Sequence, residues 1–191
     1  MKNTYLTGYL PLFSILMFSL SFSVYFVGVL TELFRGIGIY AGMREFLSDL
    51  ELKIFILIVL MIVFFMIFAA LKLIAETVNE VSLLFFSRDK EGEALTRVRS
   101  GSLIYFFGSL VTIISLSSLR GLLLIFVVTS CVYFVYFVLK VSTTLSAGGT
   151  VGVILFEITV WAALISTVLY VVIRLYNGLL ASLPILEQLP S

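Results

Sequence analysis

Long uncharged apolar runs, broken by short polar stretches, fill this chain, and the run lengths predict its elements. A helix rises about 1.5 Å per residue and a bilayer's hydrocarbon core is about 30 Å thick, so a crossing needs roughly 20 residues. No charge occurs between Lys2 and Glu32, which predicts a first membrane helix over residues 5–34, with Pro11 as a point of kinking. Its length implies tilt, or a last turn standing among the headgroups. Residues 35–53 (RGIGIYAGMREFLSDLELK) are mixed. Gly36 and Gly38 break the first helix, while Met43, Phe46, Leu47 and Leu50 recur at helical spacing. They predict a short amphipathic helix in the interface, with Arg44, Glu45, Asp49 and Glu51 turned to water.

A second span covers residues 54–71, and no Pro or Gly stops it there, so the helix is expected to continue out of the bilayer to residue 86. Residues 87–100 (SRDKEGEALTRVRS) form the one strongly hydrophilic segment, a loop with room for one helical turn. Residues 101–119 and 121–139 are two uncharged runs of 19 separated by Arg120. They read as two spans joined by a tight turn, with Ser117, Ser118 and Gly121 supplying the turn chemistry. A flexible link over residues 141–150 leads to a fifth span at 151–173. The apolar tail after Arg174 reads as an interfacial segment, because Pro184 and Glu187 cut it short. The fold class is therefore all-α, a polytopic transmembrane bundle of about five spans forming a single membrane domain over residues 1–191.

Composition removes the soluble alternative. The chain is 61% hydrophobic and 12% charged, where soluble domains carry about 25% charged residues, and a water-soluble fold of this size could not hide so much apolar surface. Ser19, Ser21 and Ser23 imitate a signal-peptidase pattern. The apolar run continues past them and exceeds the roughly 7–15 residues of a signal core, so the segment is expected to stay as a span. The formal net charge is +1, with 12 basic and 11 acidic residues mixed in the same loops, so nucleic acid is not an expected partner. With no His and one Cys, no metal site, disulfide, cofactor or His-based catalytic pair is expected, and Cys131 reads as a small buried hydrophobe.

Five spans put the termini on opposite sides. The side holding the N-terminus and the 72–100 loop collects seven basic residues (Lys2, Lys72, Arg88, Lys90, Arg97, Arg99, Lys140) against five on the other (Arg35, Arg44, Lys53, Arg120, Arg174). This orients the N-terminus inward in a plasma membrane.

Glu157 is the candidate that stands out. Only 16 residues separate it from Arg174, about 24 Å of helix, so one of the two charges must lie in the hydrocarbon edge or snorkel out of it. Arg has the longer stem, which leaves Glu157 as the submerged group. It reads either as a proton or cation site or as a headgroup-level carboxylate favoured by the helix dipole. On a helical wheel Thr159, Ala162, Ala163 and Ser166 share one arc, with Glu157 and Trp161 opposite. Small residues let helices approach closely, so that arc is expected to pack inside the protomer and Glu157 to face lipid or another subunit. Gly108, Thr112, Ser115 and Leu119 form a similar stripe in the third span. Lys72, Glu76 and Glu80, spaced i, i+4, i+8, read as a solvated face, with cation binding as the alternative. Glu32 and Arg35 read as an interfacial pair, and Tyr5, Tyr9, Tyr170 and Tyr176 as an aromatic belt.

The runs MKNTYLTGYLPLF, GVLTELFRGIGIYAGMREF and ALKLIAETVNEVSLLFFSRDKEGE together resemble the small YufK-type membrane proteins of Bacillus relatives. The resemblance covers most of the first hundred residues and is less clear beyond Ser100. It implies a bacterial plasma-membrane protein and transfers no catalytic or binding residue. The expected function is that of a non-enzymatic membrane component acting through helix contacts or partners, in contact with membrane lipids and open to homo-oligomerisation. The alternative is a small homo-oligomeric channel, or a proton- or cation-coupled carrier.

Overall fold

A computed structural model describes residues 4–87 and 92–182. Among them the chain is helical with no strand, and five helical stretches are long and apolar enough to cross a membrane. The order is α1 (Thr4–Gly36), α2 (Ile39–Met43), α3 (Asp49–Phe86), α4 (Glu93–Val98), α5 (Ser102–Val111), α6 (Leu119–Val141) and α7 (Ala147–Ser182). Short 3-10 segments, Arg99–Gly101 and Thr112–Ser115, flank α5.

Helices α1 and α3 form a long antiparallel hairpin, zipped by rings. Phe18 and Phe22 of α1 meet Phe68 of α3 at centroid distances of 5.6 and 5.3 Å, and Phe126 of α6 stands edge-on to Phe18 at 5.4 Å. Such pairs contribute about 0.5–1.5 kcal/mol each beyond their burial. The serines of α1 serve this packing. Ser14, Ser19 and Ser23 are buried and donate to the carbonyls of Leu10, Ile15 and Ser19, satisfying themselves inside their own helix. Ser21 instead crosses to Thr112, 2.7 Å away.

The connection between α1 and α3 departs from expectation. An amphipathic helix over 35–53 is replaced by the five-residue α2 and a turn, and Phe46 and Leu50 are 86% and 68% exposed. Gly38 takes φ 79°, a left-handed conformation that interrupts the helix after Gly36. Ser48 then starts α3 with a reciprocal cap: its Oγ accepts from Glu51 N at 3.3 Å, and Glu51 Oε2 accepts from Ser48 N at 2.8 Å. The α1–α3 hairpin is closed by Asp49, which accepts from Tyr40 Oη and pairs with Lys53 at 2.7 Å.

From Asp49 to Phe86 α3 is one helix. Its partners decide what its charged row lies against. Phe68 packs 5.3 Å from Phe126, and Asn79 Nδ2 donates to Tyr133 Oη at 3.3 Å. Lys72 and Glu76 lie between these two contacts, at the level of the middle of the uncharged run of α6. The two neutralise one another at 2.6 Å.

The α5–α6 hairpin depends on small residues. A Cβ at Gly108 would collide with the Thr129 side chain, and one at Gly121 with Ser115. Ser118 caps α6, accepting from Gly121 N at 3.3 Å. Cys131, expected to be buried, is exposed on the outer face of α6, where a weakly polar thiol is at no disadvantage. The last helix begins at Ala147, earlier than expected, and continues through Asn177 and Gly178 to Ser182. Pro184, Glu187 and Pro190 lie outside the described residues.

Candidate functional site

Two glycines bring α7 against α3. A Cβ at Gly149 would stand 2.9 Å from the carbonyl oxygen of Phe86, and one at Gly152 would strike the Phe86 ring. Close approach here sets the face of α7 that turns inward. Val153 is fully buried with Leu83, Phe137 and Val141, and one turn later Glu157 is 2% exposed.

The packing is the reverse of the one the wheel predicts. Glu157 faces the interior, while Thr159, Ala162, Ala163 and Ser166 are exposed. The reason lies in what each group can satisfy alone. Thr159 Oγ1 donates to the Leu155 carbonyl at 2.7 Å, so this stripe asks nothing of a neighbour. A carboxyl group has no such partner within its own helix, and leaving it in lipid is costly.

Around Glu157 the described polar groups form a chain across four helices. Ser82 Oγ of α3 lies 3.4 Å from Glu157 Oε1 and donates to the Asn79 carbonyl at 2.8 Å. Asn79 and Ser82 are both buried, and Asn79 reaches Tyr133 of α6. The Tyr133 ring sits 5.2 Å from that of Tyr105 on α5, whose hydroxyl donates to Ser130 Oγ at 3.3 Å. Tyr133 also lies within electrostatic reach of both Glu157 and Glu76.

The other candidates distribute as follows. Trp161 is half-buried on the same face as Glu157, one turn on. Arg174 is exposed, about 26 Å along the helix from Glu157, and does not join the site. Glu76 and Glu80 are exposed, the former bridged to Lys72. The expected Glu32–Arg35 pair gives way to another arrangement: Arg35 lies 4.7 Å over the Tyr40 ring and 4.0 Å from Asp49, and Glu32 is exposed. The geometry of the α1–α3 turn provides these closer partners.

Asn79, Ser82, Tyr133, Tyr105 and Ser130 were not foreseen. Asn79 and Ser82 do extend the polar face begun by Glu76 at i, i+3, i+6, a legible signal in a helix otherwise apolar on that side. The tyrosines and Ser130 carry no such signal, since rings and hydroxyls are scattered along every span.

Residues 27–184 match a family of unknown function, DUF5366. The chain belongs to that family. It is also 40% identical to the uncharacterized membrane protein YufK of Bacillus subtilis strain 168, over 97% of this chain and all of that one. No solved structure matches it. The match extends the resemblance seen in the first hundred residues over nearly the whole chain.

Proposed function

We propose that this protein is a non-enzymatic, multi-pass component of the plasma membrane that works through lateral helix contacts with membrane partners, further copies of itself included. One observation carries the reading. Residues 162–178 of α7 are exposed on every face, so half of a helix long enough to span has no neighbour among the described residues. Its outward stripe of Thr159, Ala162, Ala163 and Ser166 is of the kind on which a second helix approaches closely. Lipid covers that surface when no partner does. The basic excess beside the 72–100 loop orients the N-terminus to the cytoplasm.

Single cysteines at Ala163, Ser166 and Val168, each in a Cys131→Ser background, test this by cross-linking in native membranes. Adducts are expected at Ala163 and Ser166 but not at Val168, which lies on the opposite side of the helix. Equal, background-level yields at all three would leave α7 solvated by lipid alone and defeat the reading. The burial of Glu157 favours a second reading, a proton- or cation-coupled carrier. Ion flux into liposomes across a pH gradient supports it if present and removes it if absent.

A further inference from the structure

We propose that Glu157 is a proton-binding site inside the bundle, its carboxyl group carrying a proton that it donates to Ser82 Oγ. The hydrogen-bond arithmetic at Ser82 leads there. A hydroxyl has one proton to give and two lone pairs to offer. Ser82 Oγ has two oxygen neighbours, the Asn79 carbonyl at 2.8 Å and Glu157 Oε1 at 3.4 Å. A carbonyl oxygen can only accept, so the shorter contact takes the serine proton, and Ser82 turns a lone pair towards Glu157. Two oxygens bearing only lone pairs repel. The contact becomes favourable when the carboxyl group supplies the hydrogen.

Among the described residues the surroundings offer no other means of balancing a negative charge. Helix α7 packs against α3 and α6. From α3 the groups on this side are the neutral Asn79 and Ser82. Glu76 is the next acid along that face, Lys72 is already bridged to Glu76, and Glu80 is exposed. From α6 the facing group is Tyr133, also neutral. Tyr136 is bonded to Ser100 at 2.6 Å, Lys140 lies over the Tyr136 ring at 5.6 Å, and Cys131 is on the outer face. Among the described residues no ion pair reaches Glu157, and no three carboxylate or thiol groups converge as a metal site would need. Calcium takes about 6–8 oxygen ligands and magnesium a near-ideal octahedron. A proton needs one donor and one acceptor, and that is the set assembled here. The inference does not depend on the lateral-contact reading: a carboxylic acid can hold its proton in a protein that moves no ions.

Infrared spectroscopy of the full chain in lipid vesicles at neutral pH provides the test. A carbonyl stretch from a protonated carboxylic acid is expected in the wild type. It should be lost in Glu157→Gln, which keeps the shape of the side chain, and shifted in Ser82→Ala, where the acceptor is gone. A wild type without that band, with Glu157→Gln removing carboxylate absorption instead, would overturn the proposal. So would a carboxylate band that moves when sodium replaces choline in the buffer, which would make the ligand a metal cation. An unshifted band in Ser82→Ala would remove Ser82 from the site. If Glu157→Gln fails to fold, the response of the band to Ser82→Ala still ties it to this site.

Discussion

Two residue types decide the contact between α3 and α7, and they act in opposite senses. Gly149 and Gly152 permit it by what they lack, and Glu157 and Ser82 give it polarity. The glycine effect is specific to position. Gly148, one residue from Gly149, has open space where a Cβ would stand, whereas a Cβ on Gly152 meets three atoms of the Phe86 ring, its root atom included. That ring cannot yield by swinging its far end alone. Gly152→Ala is therefore expected to destabilise the protein by about 1–3 kcal/mol, the usual cost of overpacking, while Gly148→Ala should be neutral or slightly stabilising because alanine favours the helix. Thermal unfolding of both variants in detergent measures the difference. Equal melting temperatures would mean that the Phe86 contact is not tight.

At the scale of elements, the starts and stops of helices follow local chemistry more closely than periodicity does. Met43, Phe46, Leu47 and Leu50 share a helical spacing, yet they do not share a helix. The left-handed Gly38 and the capping box at Ser48 divide the segment first. Ser48→Ala removes the side-chain half of that cap and leaves the backbone N–H of residue 48 bonded to Glu51, at a cost of about 1 kcal/mol. Amide exchange in the first turn of α3, measured by mass spectrometry, should accelerate roughly fivefold, the factor that such an energy implies. Unchanged exchange would show that Asp49, held by Tyr40 and Lys53, suffices to start the helix. The third span shows the same precedence. Its α-helical part ends at Val111 and tightens into Thr112–Ser115, where Thr112 Oγ1 donates to the Ser109 carbonyl and lies 2.7 Å from Ser21 Oγ of α1.

For the whole molecule the controlling facts are the number of crossings and the register between them. Five crossings require the two ends of the chain on opposite faces. Probes at Ser87 and Ser191, as single cysteines in a Cys131→Ser background, are expected to label from opposite sides of sealed membranes, with Ser87 cytoplasmic. Labelling from the same side would demand an even number of spans. The background substitution is mild because Cys131 is exposed rather than part of the core. Register has its own consequence: Lys72 and Glu76, which would face water if α3 simply left the bilayer, lie level with the apolar middle of α6 and are joined to each other. A charged pair in that position is tolerable because each member cancels the other's field.

The sequence by itself determined what depends on run length and on chemistry within one helix. Uncharged stretches of about 20 residues can satisfy their backbone only as helices in lipid. For that reason the all-α class, five stretches long and apolar enough to cross a membrane and the turn around Ser117 and Ser118 were legible in advance. Which way Glu157 points was decided only by tertiary structure. In water, polarity tells a helix which face to bury. In a membrane, lipid is as apolar as leucine, so the wheel of α7 has no preferred inside until another helix supplies hydroxyls and amides at the right height. Ser82, Asn79 and Tyr133 come from segments 24 to 78 residues distant from Glu157 in the chain, and no local pattern could align them. The two glycines that let α7 reach α3 settled the orientation that helical periodicity left open.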